Sequence, residues 1–278
     1  EHRTLPTTLI LGGTSPGSEA NPSPLYRIPP FALGTKVFAG PALRYAQEPG
    51  FAEWGHRLEV FGLALRHTPS VEAFSDHLLS TRDRLDFIVN NACQTVRRPS
   101  GFYEHMLGAE ATSLAELPPP AQRLLGWYEG LRAYNVLGVG ATPVALAGIA
   151  HAAALSQTEL LPEDRDRSDR LFPVGHLDQD LQQVDLRDVN SWRLRLHEVS
   201  SVELLETQLV NAVAPFVLNA RLKPLMLRAP SRDQHIVNVS AVEGQFYRRL
   251  KTTRHPHTNM AKAALNMMTR TSAADYQA

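Results

Sequence analysis

The chain has 278 residues, enough for one large domain or two small ones, and 43% of them are hydrophobic, enough for a sizeable core. Its 28 basic residues equal its 28 acidic ones, which leaves no overall electrostatic footprint for nucleic acid or an anionic membrane. The single cysteine excludes an intrachain disulfide, and no charged-then-apolar leader follows Glu1, so the expected location is cytoplasmic.

In chain order, "TTLILGG" (7–13) is an apolar run stopped by glycines, a buried strand entering a tight turn. Residues 19–41 carry Pro22, Pro24, Pro29, Pro30 and Pro41 and are expected to be irregular. "RLEVFGLAL" (57–65) reads as a strand, and "SVEAFSDHLLSTRD" (70–83) as a helix with Val71, Phe74, His77 and Leu78 near helical spacing. "LDFIVNNA" (85–92) is a third apolar run. Residues 97–199 form a long insertion with an aromatic helix-like piece at 121–134 and a charged run, "PEDRDRSDR" (162–170), expected to be a solvated loop. The most apolar window, residues 136–155, is broken by glycines, Pro143 and His151, so it reads as an Ala-rich helix or loop and not a membrane span. "VELLETQLVNAVAPFVLNARLKPLM" (202–226) is a long helix with Leu205, Leu209, Ala212, Val213, Phe216 and Ala220 on one face and a kink expected at Pro215. "HIVNVSA" (235–241) is another strand. The last helix, 258–276, has Ala261, Leu265 and Met268 on one stripe.

Strands alternating with helices predict a single α/β domain over 1–278, a Rossmann-like doubly wound parallel sheet with helices on both faces. The continuous apolar strands "FIVN" and "HIVNV" predict burial on both sides of the sheet.

Four segments in one order carry a resemblance. They are "NNAC" (Asn90, Asn91, Ala92, Cys93), "QLVNAVAPF" around Asn211, "IVNVSA" ending at Ser240, and "AKAALNMMTR" containing Lys262. Together they resemble the short-chain dehydrogenase/reductase family. The resemblance implies Ser240, Lys262 and Asn211 as catalytic residues and Asn90, Asn91, Ala92 and Lys262 as cofactor contacts. It implies hydride transfer between NAD or NADP and a small-molecule carbonyl or alcohol substrate. In that chemistry a lysine ammonium beside a tyrosine favours phenolate, a serine holds the substrate oxygen, and an asparagine anchors a water in the proton relay. It also implies a possible homo-oligomer and, since Ala278 falls where the catalytic helix ends, an incomplete chain whose later strands are missing.

The departures lie at both ends of the resemblance. Thr258 stands four residues before Lys262, where the family has tyrosine, and a threonine hydroxyl has no phenolate-like state near neutral pH. Tyr247, four before Lys251, is a candidate acid on a loop over the site; His255 or His257 could shuttle protons instead. The His-Pro-His stretch lacks a third ligand, so no metal is expected. Gly12, Gly13 and Gly17 resemble the family's phosphate-binding turn, but Glu19 occupies the third glycine position and Pro22 interrupts the helix that should follow. Ala64 replaces the family's adenine-contacting aspartate, and Cys93 the glycine of its Asn-Asn-Ala-Gly turn. Lys36, near the end of the second strand, would favour a 2′-phosphate and so NADP. Two readings stand: an NAD(P)-dependent oxidoreductase, or a non-catalytic relative acting by nucleotide or partner binding.

Overall fold

The computed structural model describes residues 7–11, 30–34, 39–103, 112–136, 147–149, 151–166, 168–176, 183–230 and 232–277. The sheet has five parallel strands: β1 (Thr8–Leu11), β2 (Pro30–Gly34), β3 (Glu59–Gly62), β4 (Phe87–Asn90) and β5 (His235–Asn238), in the order β3-β2-β1-β4-β5. The order reverses at β1, so the carboxyl ends of β1 and β4 flank a topological switch point. This is the doubly wound α/β architecture the alternating pattern predicts.

Eight α-helices are described: α1 (Ala39–Gln47), α2 (Phe51–Trp54), α3 (Thr68–Thr81), α4 (Pro119–Val136), α5 (Ala152–Ser156), α6 (Ser201–Gln208), α7 (Ala214–Met226) and α8 (Pro256–Gln277). Pro69 sits in the first turn of α3, where its missing N–H costs nothing. Val71, Phe74 and Leu78 then face the core at helical spacing. α3 packs on α7 through Leu218, Leu222 and Leu225, all buried. α4 lies within the 97–199 segment and still joins the main core: Leu124, Leu125 and Tyr128 are buried against the side of the sheet bearing β3. No helix among the described residues is long and apolar enough to cross a membrane.

Four expectations need correction. The Pro-rich segment is not irregular throughout, because Pro30 opens β2 and Pro41 lies in the first turn of α1, two places where a proline needs no N–H partner. The long helix turns its predicted apolar stripe outward: Leu205 is 60% and Phe216 59% exposed, while Glu206, Thr207, Asn211 and Asn219 on the opposite side are buried. Those polar side chains have partners waiting inside, which outweighs the periodicity. β5 exposes alternate residues, His235 and Val237, because the sheet face they point to is left uncovered there by the described residues. The charged run 162–170 is not wholly solvated, since Asp164 is 2% exposed. At Pro215 the irregularity is a π turn, Leu209–Val213: proline has no N–H for the preceding turn, and Ala214 N–H bonds to Leu209 O.

Candidate functional site

The carboxyl ends of β4 and β5 are tied by side chains. Asn90, in the last position of β4, donates to Asn219 Oδ1 at 2.9 Å and Asn238 Oδ1 at 2.7 Å. Asn238 in turn donates to Thr269 on α8 at 2.9 Å. One polar chain thus joins two strands to two helices, and the Oδ1 of Asn90 is buried with no hydrogen-bond partner among the described residues. Asn91 is exposed, Ala92 is buried and Cys93 is half-buried. Ala64, after β3, is buried.

The loop leaving β4 is held by two devices. Asn211, fully buried in the π turn, accepts from Gln94 N–H at 2.6 Å and donates to Gln94 O at 3.0 Å. The π turn widens the helix where Asn211 grips this loop. Three residues on, Arg97 places a fork on Asp164, at 2.5 and 2.7 Å, and its Nε on Glu206 at 3.0 Å. Glu206 also accepts from Gln94 at 3.2 Å and pairs with Arg66. Burial opposes the charge on Asp164. The Arg97 fork and the N–H groups of Leu160 and Leu161 outweigh it and hold the carboxyl below its usual range. Burial likewise opposes ionisation of Arg97, and its two carboxylates more than compensate, raising its pKa.

Ser240 follows β5 directly, and its hydroxyl donates to Lys262 O on α8 at 3.2 Å. The Lys262 ammonium, 5% exposed, donates to Val239 O at 2.7 Å. These reciprocal bonds seat the first turns of α8 on the end of β5. Gly244 completes the seat: a Cβ there would lie 2.7 Å from the Lys262 carbonyl carbon, so the loop approaches α8 as only glycine allows. Asn211, Ser240 and Lys262 are therefore all bonded to backbone of neighbouring segments.

Thr258 is 2% exposed, and its hydroxyl has no hydrogen-bond partner among the described residues. His257, also 2% exposed, has its Nε2 3.3 Å from Glu203 Oε1 without hydrogen-bond alignment. Burial pushes the Glu203 carboxyl up, but the contacts of His257 and Ser191 and the nearby Arg97 charge bring it below its usual range. His255 caps α8 with φ of 43°, its ring against Trp192. Tyr247 is 94% exposed at a loop turn, in edge contact with Phe246; the phenol is not brought to Ser240 in this conformation. No cluster of metal-ligating side chains occurs among the described residues. Gly12, Gly13, Gly17, Glu19, Pro22 and Lys36 lie outside the described residues. Arg97, Asp164 and Glu206 were not singled out by sequence reasoning, because three charges far apart in the chain give no local signal.

No family model matches the chain. A stretch of 87 residues, 31% of the chain, is 37% identical to the uncharacterized protein R665 of Acanthamoeba polyphaga mimivirus, of which it covers 18%. Among solved structures, a short-chain dehydrogenase from Streptomyces avermitilis matches 99% of the chain at 12% identity with a TM-score of 0.53. A metagenomic short-chain oxidoreductase in complex with NADP matches 98% at 14% identity and 0.54. RhlG of Pseudomonas aeruginosa, solved as an NADP active-site complex, matches 97% at 13% identity and 0.52. The chain spans 62%, 77% and 66% of those three chains respectively. The fold is thus that of the short-chain dehydrogenases/reductases.

The geometry makes Asn211 a structural clamp with a measurable consequence. Asn211→Leu leaves the N–H and C=O of Gln94 without partners, at about 1–3 kcal/mol for each buried group. Urea unfolding should show a loss of about 2–5 kcal/mol. An unchanged midpoint would remove the clamp.

Proposed function

We propose that the chain binds NAD or NADP at the switch point between β1 and β4 and lacks, at position 258, the proton donor that carbonyl reduction needs. The observation that carries this is the state of α8: Thr258 is buried, and the Lys262 ammonium is already bonded to Val239 O. A cofactor still fits. The ammonium has three donors and uses one on Val239, and Asn91 stands exposed at the carboxyl end of β4. Lys262 would hold the ribose, and Asn91 and Ala92 would border the dinucleotide; Gly12, Gly13 and Gly17, the phosphate-binding residues the resemblance implies, lie outside the described residues. When bound, the cofactor supplies hydride chemistry. Two of the three solved neighbours named above were determined as complexes with NADP, which supports the cofactor class.

The second reading, an NAD(P)-dependent oxidoreductase acting on a small carbonyl or alcohol, is favoured by the 3.2 Å bond that puts Ser240 beside the Lys262 backbone. It then needs an acid from elsewhere, such as Tyr247 brought in from its loop. We also propose a homo-oligomer. Leu205, Val213 and Phe216 on the α6–α7 helix and Met260 and Met267 on α8 are exposed, and these helices are neighbours.

Thermal melting with NADH and NADPH separates these readings. Binding should raise the melting temperature through mass action, with no substrate-dependent oxidation of the reduced cofactor. No shift at millimolar cofactor sinks the binding site. Turnover by the parent chain, lost in Tyr247→Phe, sinks the first reading and establishes the second. Light scattering should give a multiple of the 30.8 kDa chain mass; a monomer contradicts the oligomer.

A further inference from the structure

The chain-wide charge balance conceals a local imbalance. Residues 245–259 hold four cations, Arg248, Arg249, Lys251 and Arg254, and no carboxylate. The same loop presents Phe246, Tyr247 and Leu250, exposed by 88%, 94% and 84%. Its base is fixed: Arg248 pairs with Glu243 at 2.5 Å, Lys251 donates to Glu243 O, Asn266 donates to Gly244 O at 3.2 Å, and Gly244 rests on α8. The apolar tip is therefore carried on a braced stem.

A second segment lies beside it. His255 N–H bonds to Leu194 O at 2.8 Å, Arg195 bridges Arg254, and the rings of Trp192 and His255 are 4.5 Å apart. That segment adds exposed Trp192 and Leu196 with exposed Arg193 and Arg195. Among the described residues, the carboxylates on this face are Glu243, which is paired, together with Glu198, which accepts from Arg195 N–H, and exposed Asp188.

We propose that this face, loop 242–254 with Trp192 and Leu196, is an interfacial anchor that seats on an anionic lipid bilayer. Aromatic and leucine side chains at a protruding turn suit the boundary between headgroups and acyl chains, and the flanking arginines and lysine match anionic headgroups. A nucleic acid fits less well. Phe246 and Tyr247 meet edge to face at 80°, which offers no pair of parallel stacking platforms, and Leu196 and Leu250 have no flat face for a base.

The test is co-sedimentation of the full chain with vesicles of equal parts phosphatidylserine and phosphatidylcholine, against pure phosphatidylcholine. Binding should require phosphatidylserine and weaken as salt rises. Phe246→Ser with Leu250→Ser should lower partitioning by about tenfold or more. Arg249→Gln with Arg254→Gln, an independent variant, should lower it by about fivefold per charge removed. Circular dichroism of both variants should match the parent, since these side chains are in solvent. Absence of sedimentation, equal binding to both vesicles, or undiminished binding by either variant overturns the proposal. Salt-sensitive binding of a single-stranded oligonucleotide without vesicle binding also overturns it.

Discussion

A guanidinium withdrawn from water needs its donors met, and Arg97 meets this by gripping carboxylates from two distant parts of the chain. Asp164 comes from the long intervening segment and Glu206 from the α6 helix. Ser191 receives the Arg97 N–H at 2.8 Å, and Ser100 donates to Asp164 O at 2.7 Å. Arg97 therefore fixes where the residues around Asp164 sit against the loop after β4 and the α6 helix. It also fixes the loop after β4, because Glu206 and Asn211 hold Gln94 from the same helix. The burial of Glu206 and the position of the loop follow from that grip.

The elements with strong local signals were legible in the sequence. α3 is announced by Pro69 and the spacing of Val71, Phe74 and Leu78; β4 and β5 are short apolar runs; α8 carries Ala261 and Leu265 inward. The order of "NNAC", Asn211, Ser240 and Lys262 located the carboxyl edge of the sheet. The face of α6–α7 was not legible, because hydrophobic periodicity assumes that polar residues seek water. Here Glu206, Asn211 and Asn219 seek Arg97, Gln94 and Asn90 instead. Asp164 was hidden for a related reason: inside "PEDRDRSDR" nothing local distinguishes the one carboxylate with a buried arginine waiting for it.

The candidate site shows the same economy of polar groups. Ser240 and Lys262 bind each other's neighbouring backbone, and Thr258 is packed away one turn before Lys262. What the resembled family uses for chemistry is, in this conformation, bonded into the junction of β5 and α8. The next loop outward turns its aromatic and basic side chains to solvent, where the total charge of the chain gives no hint of them.

The claim that the Arg97–Asp164 pair ties the residues around Asp164 to the loop after β4 is tested most directly by a double-mutant cycle. Arg97→Met, Asp164→Leu and the double variant would be unfolded in urea beside the parent. Arg97→Met strands the Asp164 carboxylate and should lose about 3–5 kcal/mol, Asp164→Leu leaves the guanidinium with Glu206 alone and should lose less, and the double variant should lose less than the sum, a coupling of about 2 kcal/mol or more. Additive losses, with coupling within about 0.5 kcal/mol of zero, would contradict the account.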